Sequence, residues 1–81
     1  MNKHELIDYF NKHAKDRDKW RKINWYYHQV VENLCKFIIP PNSSVVEIGS
    51  GTGDLLNELR PKCSVGIDIS SKMIEIAQAK Y

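Results

Sequence analysis

A turn with glycine at alternate positions, Gly49-Ser50-Gly51-Thr52-Gly53, constrains this 81-residue chain more than any other feature. It follows Val45-Val46-Glu47-Ile48, a β-branched run that reads as a short strand ending at Gly49. It precedes Asp54 to Leu59, a segment with helical spacing that is cut off by Pro61. Ser64-Val65-Gly66-Ile67 then reads as a second, buried strand. Ser70 or Ser71 can cap a last helix over 72–81, in which Met73, Ile76, Ala77 and Tyr81 share a side. A strand, a crossover helix and a second strand make a βαβ unit, whose strands are parallel and whose connection is right-handed. The expected class is therefore α/β.

Upstream, Leu6, Ile7, Phe10 and Ala14 recur at helical spacing over 4–14 and lead into a charged stretch. Trp20, Ile23, Tyr27, Val30, Val31, Leu34 and Ile38 step by three and four, which predicts one long helix with a single apolar face. Pro40 and Pro41 end it by Ile39, because proline lacks the amide donor and disfavours the helical region for its predecessor. Two portions follow: a helical lead-in or lid over 1–41 and a βαβα unit over 42–81. Two parallel strands leave a sheet edge without its neighbour, so the chain is expected to be truncated, with self-association through the open edge as one way to cover it.

Composition narrows the function classes. Hydrophobic residues at 42% and charged residues at 27% are ordinary globular usage, and a net charge of +2 does not call for nucleic acid or an acidic membrane. Trp20, Trp25, Tyr26 and Tyr27 lie among Lys19, Arg21 and Lys22, but such helices more often have a core face and a solvated face than a nucleic-acid surface. No apolar run approaches the ~20 residues that span a bilayer. Cys35 and Cys63 form no CxxC pair and no secretory apolar core follows Met1, so reduced thiols in a cytoplasmic protein are expected. His4, His13 and His28 lack metal-ligand spacing, and no metal is expected.

The glycines admit backbone conformations closed to other residues and let a ligand reach contact distance. The amides at the start of the following helix favour an anionic or electron-rich group. Asp68 ends the second strand a little under 20 residues beyond the turn, where an acid can accept hydrogen bonds from both ribose hydroxyls. A dinucleotide fingerprint needs glycine or alanine where Asp54 stands, and no Gly-Lys-Ser or Gly-Lys-Thr of a P-loop occurs. Glu47, two positions before the first glycine, suits a ligand with an ammonium or sulfonium group. S-adenosylmethionine carries both.

VVEIGSGTGDLL resembles the first motif of class I S-adenosylmethionine-dependent methyltransferases, and VGIDISSKMIEIAQAK resembles their second-strand motif. The resemblance covers Val45 to Tyr81, and the helices before it fit the lead-in of such enzymes. YFNKHAKDRDKW is also similar to bacterial methyltransferase domains that accompany glycosyltransferases. The resemblance implies the N-terminal part of a Rossmann-like fold, with Gly49, Ser50, Gly51, Thr52 and Gly53 lining the methionine and ribose of the cofactor. It implies Glu47 toward the amino group, Asp68 on the ribose, and Ile69 and Met73 against the adenine. Tyr9, Trp20 and Tyr27 are further candidates for the carboxylate end, beside their role in packing. The adenine-amine contact and the acceptor site of the family lie after later strands, so no catalytic residue is assigned, the methyl acceptor is unknown, and the chain alone is expected to be inactive. Two alternatives stay open: a fragment of a nicotinamide-dependent oxidoreductase, and a non-catalytic module that self-associates.

Overall fold

The computed structural model describes all 81 residues. Its elements are α1 (Lys3–His13), a 3-10 turn (Ala14–Asp16), α2 (Arg17–Ile23), α3 (Trp25–Ile38), β1 (Ser44–Ile48), α4 (Asp54–Leu59), β2 (Cys63–Ile67) and α5 (Ser71–Lys80). The two strands pair in parallel, with Glu47 beside Gly66 and Ile48 beside Ile67. This is the expected α/β order, with a βαβ unit at its centre. No helix is long and apolar enough to cross a membrane.

Local chemistry explains the boundaries. Asn2 caps α1 by accepting from the Glu5 amide, and Ser70 caps α5 by accepting from the Met73 amide. Ile39 is extended, as a residue before proline should be, and α3 ends at Ile38. Arg60 takes a left-handed conformation as the C-cap of α4, and Pro61 blocks any continuation.

The single long helix expected over 20–38 is instead two helices broken at Asn24. The Asn24 backbone has φ −101° and ψ 32°, and its side-chain amide donates to the Trp20 carbonyl at 3.0 Å. A short polar side chain that satisfies the preceding turn this way competes with continuation of the helix. The apolar face expected of that helix is also not a core: Trp20, Ile23, Tyr27, Val30, Leu34 and Ile38 are all exposed.

The hydrophobic core is small and lies where α1, the 3-10 turn, α4 and α5 meet the turn region. Ala14, Leu56 and Met73 are its buried apolar members, and Thr52 and Ser70 are buried polar ones. Ser70 joins the first and last helices, because its hydroxyl donates to Asn11 Oδ1, which also accepts from the Lys72 amide. The lead-in helices thus pack directly onto the βαβα unit.

The apolar run predicts a buried β2, but all five of its residues are exposed. Alternation puts Val46 and Ile48 of β1 and Val65 and Ile67 of β2 on one sheet face, and all four are exposed. Glu47 and Gly66 point to the other face, where Ser50 and Leu56 press close: a β-carbon on Gly66 would lie 2.7 Å from Ser50 Oγ and 3.2 Å from Leu56 Cδ1.

Candidate functional site

The glycine turn crosses the C-terminal ends of both strands, which is where ligands bind in open parallel sheets. Gly49, Gly51 and Gly53 have φ of 77°, 56° and 80°, a region that side chains with a β-carbon rarely enter. The turn is pinned to the second strand. The Gly49 and Ser50 amides both donate to the Ile67 carbonyl, at 2.6 and 3.0 Å.

Asp68 completes the pinning. Its Oδ2 accepts from the Gly51 amide at 2.8 Å and its Oδ1 from the Ser70 amide at 2.9 Å. One amide of the turn is therefore spent on Asp68, which orients the carboxylate. Each carboxylate oxygen keeps a further acceptor site.

A cleft of about 600 Å³ opens over this arrangement, lined by Gly49, Gly51, Asp68, Ile69 and Met73 together with Phe10, Arg17, Ile48 and Ile67. Its size falls within the range of small-molecule sites, and its walls are mostly apolar with one acid and one base. A smaller recess of about 160 Å³ adjoins it through the shared residues Arg17 and Gly49, and it holds Glu47, Ser50, Tyr27 and His28. Five of the nine candidate residues thus line the larger cleft, and Glu47 and Ser50 line the recess.

Two candidates lie elsewhere. Thr52 is 1% exposed, and its hydroxyl donates to Asp54 at 2.5 Å, so it reaches neither space. Gly53 faces a different cleft, of about 570 Å³, between α4 and α5, where Tyr81 and Gln78 also lie. That cleft contains no carboxylate to receive a ribose. Of the aromatic candidates, Tyr27 reaches the recess, whereas Tyr9 packs against Phe10 and His13. Trp20 lines neither space.

Glu47 is electrostatically unusual. Its Oε1 is buried without a hydrogen-bond partner. Burial pushes its carboxyl above the ordinary value, against the opposing pull of Arg17 and Arg21. A buried acceptor left unpaired costs stability.

Asp54 contrasts with it. Burial alone would raise its pKa, but hydrogen bonds from Lys80, Thr52 and Tyr81 and the charge of Lys80 outweigh that and hold it at about 2. Its carboxylate also faces Arg21 at 3.5 Å, and Arg21 pairs with Glu32 at 2.9 Å. Lys80 reaches Asp18 at 2.9 Å as well. These ion pairs tie α2, α3, α4 and α5 together and leave Asp54 already satisfied. His28, against Arg21, is held below its ordinary pKa by burial first and by the arginine charges second.

Sequence reasoning missed Phe10 and Arg17. Phe10 has only its place in a helical apolar pattern as a signal, and Arg17 sits in a charge run that reads as a solvated face.

No protein-family model matches the chain, and no solved structure matches it. A malonyl-[acyl-carrier protein] O-methyltransferase of Priestia megaterium is 35% identical over 85 residues, which covers 99% of this chain. The chain spans 31% of that protein's length. Along almost its entire length, then, this chain is related in sequence to a methyltransferase.

Proposed function

We propose that the chain is the S-adenosylmethionine-binding part of a methyltransferase, with 42–81 holding the cofactor and the helices of 1–41 forming one wall over it. The observation that carries this reading is the buried, unpartnered Glu47 oxygen beside a glycine turn whose next strand ends in an oriented acid, Asp68. A nucleoside with an ammonium group satisfies both. The walls of the cleft fit the rest of the ligand: Asp68 has acceptor capacity left for ribose hydroxyls, and Ile69, Met73 and Phe10 offer apolar area to a base.

When bound, the cofactor would supply an activated methyl group on its sulfonium sulfur. The residues here bind and orient the donor, which is most of what methyl transfer asks of a protein. Gly49 and Gly51 allow close approach, Asp68 fixes the ribose, and Glu47 takes the ammonium. The relative acts on malonyl-[acyl-carrier protein] as an O-methyltransferase, so a carboxylate oxygen is the acceptor chemistry this reading favours. No acid–base residue for that step is assigned to this chain. A cytoplasmic setting, in keeping with the free Cys35 and Cys63, belongs to the same proposal.

Backbone amide spectra of the 15N-labelled chain titrated with S-adenosylhomocysteine test the site. The expected shifts fall on Gly49, Gly51, Asp68, Ile69 and Met73. Shifts concentrated on Gly53, Asn57 and Gln78 would move the ligand to the cleft between α4 and α5 and refute this placement.

A further inference from the structure

α3 has two stripes with opposite surroundings. His28, Val31, Glu32 and Cys35 recur at helical spacing and are half-buried, and the first three line the small recess with Asp54 and Leu55. The other stripe, about 130° round the helix, is Tyr27, Val30, Leu34 and Phe37. These step by three, four and three, the spacing of a seam between two helices. Tyr27, which also borders the recess, is 65% exposed, and Val30, Leu34 and Phe37 are exposed by 48, 57 and 89%. Tyr26 and Ile38 extend the bare apolar surface at its two ends.

The surface area of the chain points the same way. It exposes 6177 Å², whereas a folded monomer of 9.4 kDa exposes about 5,000 Å². The excess, roughly 1,200 Å², is larger than the ~800 Å² that each partner gives to a standard interface. An aromatic side chain buries about 150–250 Å² and a large aliphatic one about 60–120 Å², so the six side chains of the α3 surface supply on the order of 600 Å² per copy. Two copies together then reach the lower end of specific interfaces, about 1,200 Å². The charges of α3 decide what can cover this surface. Its only charged residues, Glu32 and Lys36, are satisfied within the chain by Arg21 at 2.9 Å and Glu58 at 3.0 Å. The seam therefore offers no charge to a phosphate, a lipid headgroup or an acidic protein, and it sets no like charges against each other when it meets itself.

We infer that two copies of this chain pair through α3, the seam of Tyr27, Val30, Leu34 and Phe37 on one helix lying against the same seam on the other about a two-fold axis. Such an interface uses one patch twice and closes as a dimer. The bare sheet face is the rival surface, but two five-residue strands present only about 10 Å by 16 Å, small beside the six side chains of α3. An interface at the lower end of specific sizes gives a dimer with Kd on the order of 10 µM. The pairing does not depend on the cofactor.

Sedimentation equilibrium of the whole chain from about 1 to about 500 µM tests the pairing, because mass action makes a dimer concentration-dependent. Circular dichroism is the folding control. The average mass of wild type is expected to rise from 9.4 kDa toward twice that value and no further. Phe37→Glu and Leu34→Glu place a carboxylate in the seam and are expected to weaken the dimer at least about 10-fold. Both positions are exposed in the single chain, so both variants should keep the wild-type dichroism spectrum. Val46→Glu, on the sheet face, is expected to dimerise within about 2-fold of wild type. Wild type that stays at the monomer mass throughout overturns the inference. If it then pellets with vesicles of equal parts phosphatidylglycerol and phosphatidylcholine, the surface belongs to a membrane instead. Association lost in Val46→Glu but kept in Phe37→Glu and Leu34→Glu moves the contact to the sheet and overturns the inference too, as does a mass that climbs past the dimer.

Discussion

Replacing Glu47 by glutamine should separate stability from binding, moving them in opposite directions. In the folded chain the Glu47 oxygen is buried without a partner and its carboxyl is raised, with burial as the main cause. A raised carboxyl pKa means that its contribution to folding is fully present below the unfolded value of 4.5 and is lost as pH rises through the folded one. At pH 7 the ionised group is a net cost to the folded state. Glutamine removes that cost, so Glu47→Gln should be at least as stable as wild type at pH 7, and any advantage should vanish near pH 4. The ligand's ammonium would lose a charged partner in a desolvated recess, worth about 1.5–3 kcal/mol, or roughly 10- to 150-fold in affinity. Thermal unfolding by circular dichroism at the two pH values, and calorimetry with S-adenosylhomocysteine at pH 7, read both effects. Binding to wild type near pH 5 should also release protons, because an ammonium favours the ionised carboxylate. Unchanged affinity in Glu47→Gln, or a variant less stable than wild type at pH 7, would refute this reasoning.

Other consequences concern the frame around the site. Asp54→Asn should destabilise the chain by about 1–2 kcal/mol at neutral pH once solvent screening is allowed for, and wild type should lose the same increment as pH falls from about 4 toward 2, measured by unfolding across that window. The sign follows from a depressed carboxylate: its stabilisation is present above the unfolded pKa and disappears on protonation. Gly66→Ala should cost about 1–3 kcal/mol through overpacking, since the added carbon meets Ser50 and Leu56, and a calorimetric melt will read it. A variant as stable as wild type would mean that Ser50 and Leu56 move aside freely.

The turn and its flanking elements were legible because local chemistry decides them. Alternate glycines, a β-branched run, Pro40, Pro61 and the Ser70 cap act within a few residues of themselves, and the structure bears out the βαβ order they imply. The break at Asn24 was not legible from periodicity, because Trp20, Ile23 and Tyr27 keep helical spacing straight across it. At the break the Asn24 side-chain amide shares the Trp20 carbonyl with the Asn24 backbone amide. The bare sheet face eluded the pattern for a related reason: an apolar run reports that a strand can be buried, and Val46, Ile48, Val65 and Ile67 stay at least half exposed here.

At the site, residue type pointed to Glu47 and Asp68, since few other groups could greet an ammonium or a ribose. Their detailed state came only from tertiary structure. Asp68 is hydrogen-bonded to the Gly51 amide of the glycine turn, and Thr52 is turned inward onto Asp54. Arg17 was hidden for the opposite reason, because a charge beside Lys15, Asp16 and Asp18 looks solvated until α2 is laid over the glycines.

Calorimetric titration of the folded chain with S-adenosylhomocysteine, with NAD as the control ligand, tests the central claim most directly. The account predicts saturable, one-to-one binding of S-adenosylhomocysteine and none of NAD, because Asp54 stands where a dinucleotide turn needs a small residue. Binding of NAD in preference, or no binding of S-adenosylhomocysteine by a sample whose circular dichroism shows it folded, would contradict it.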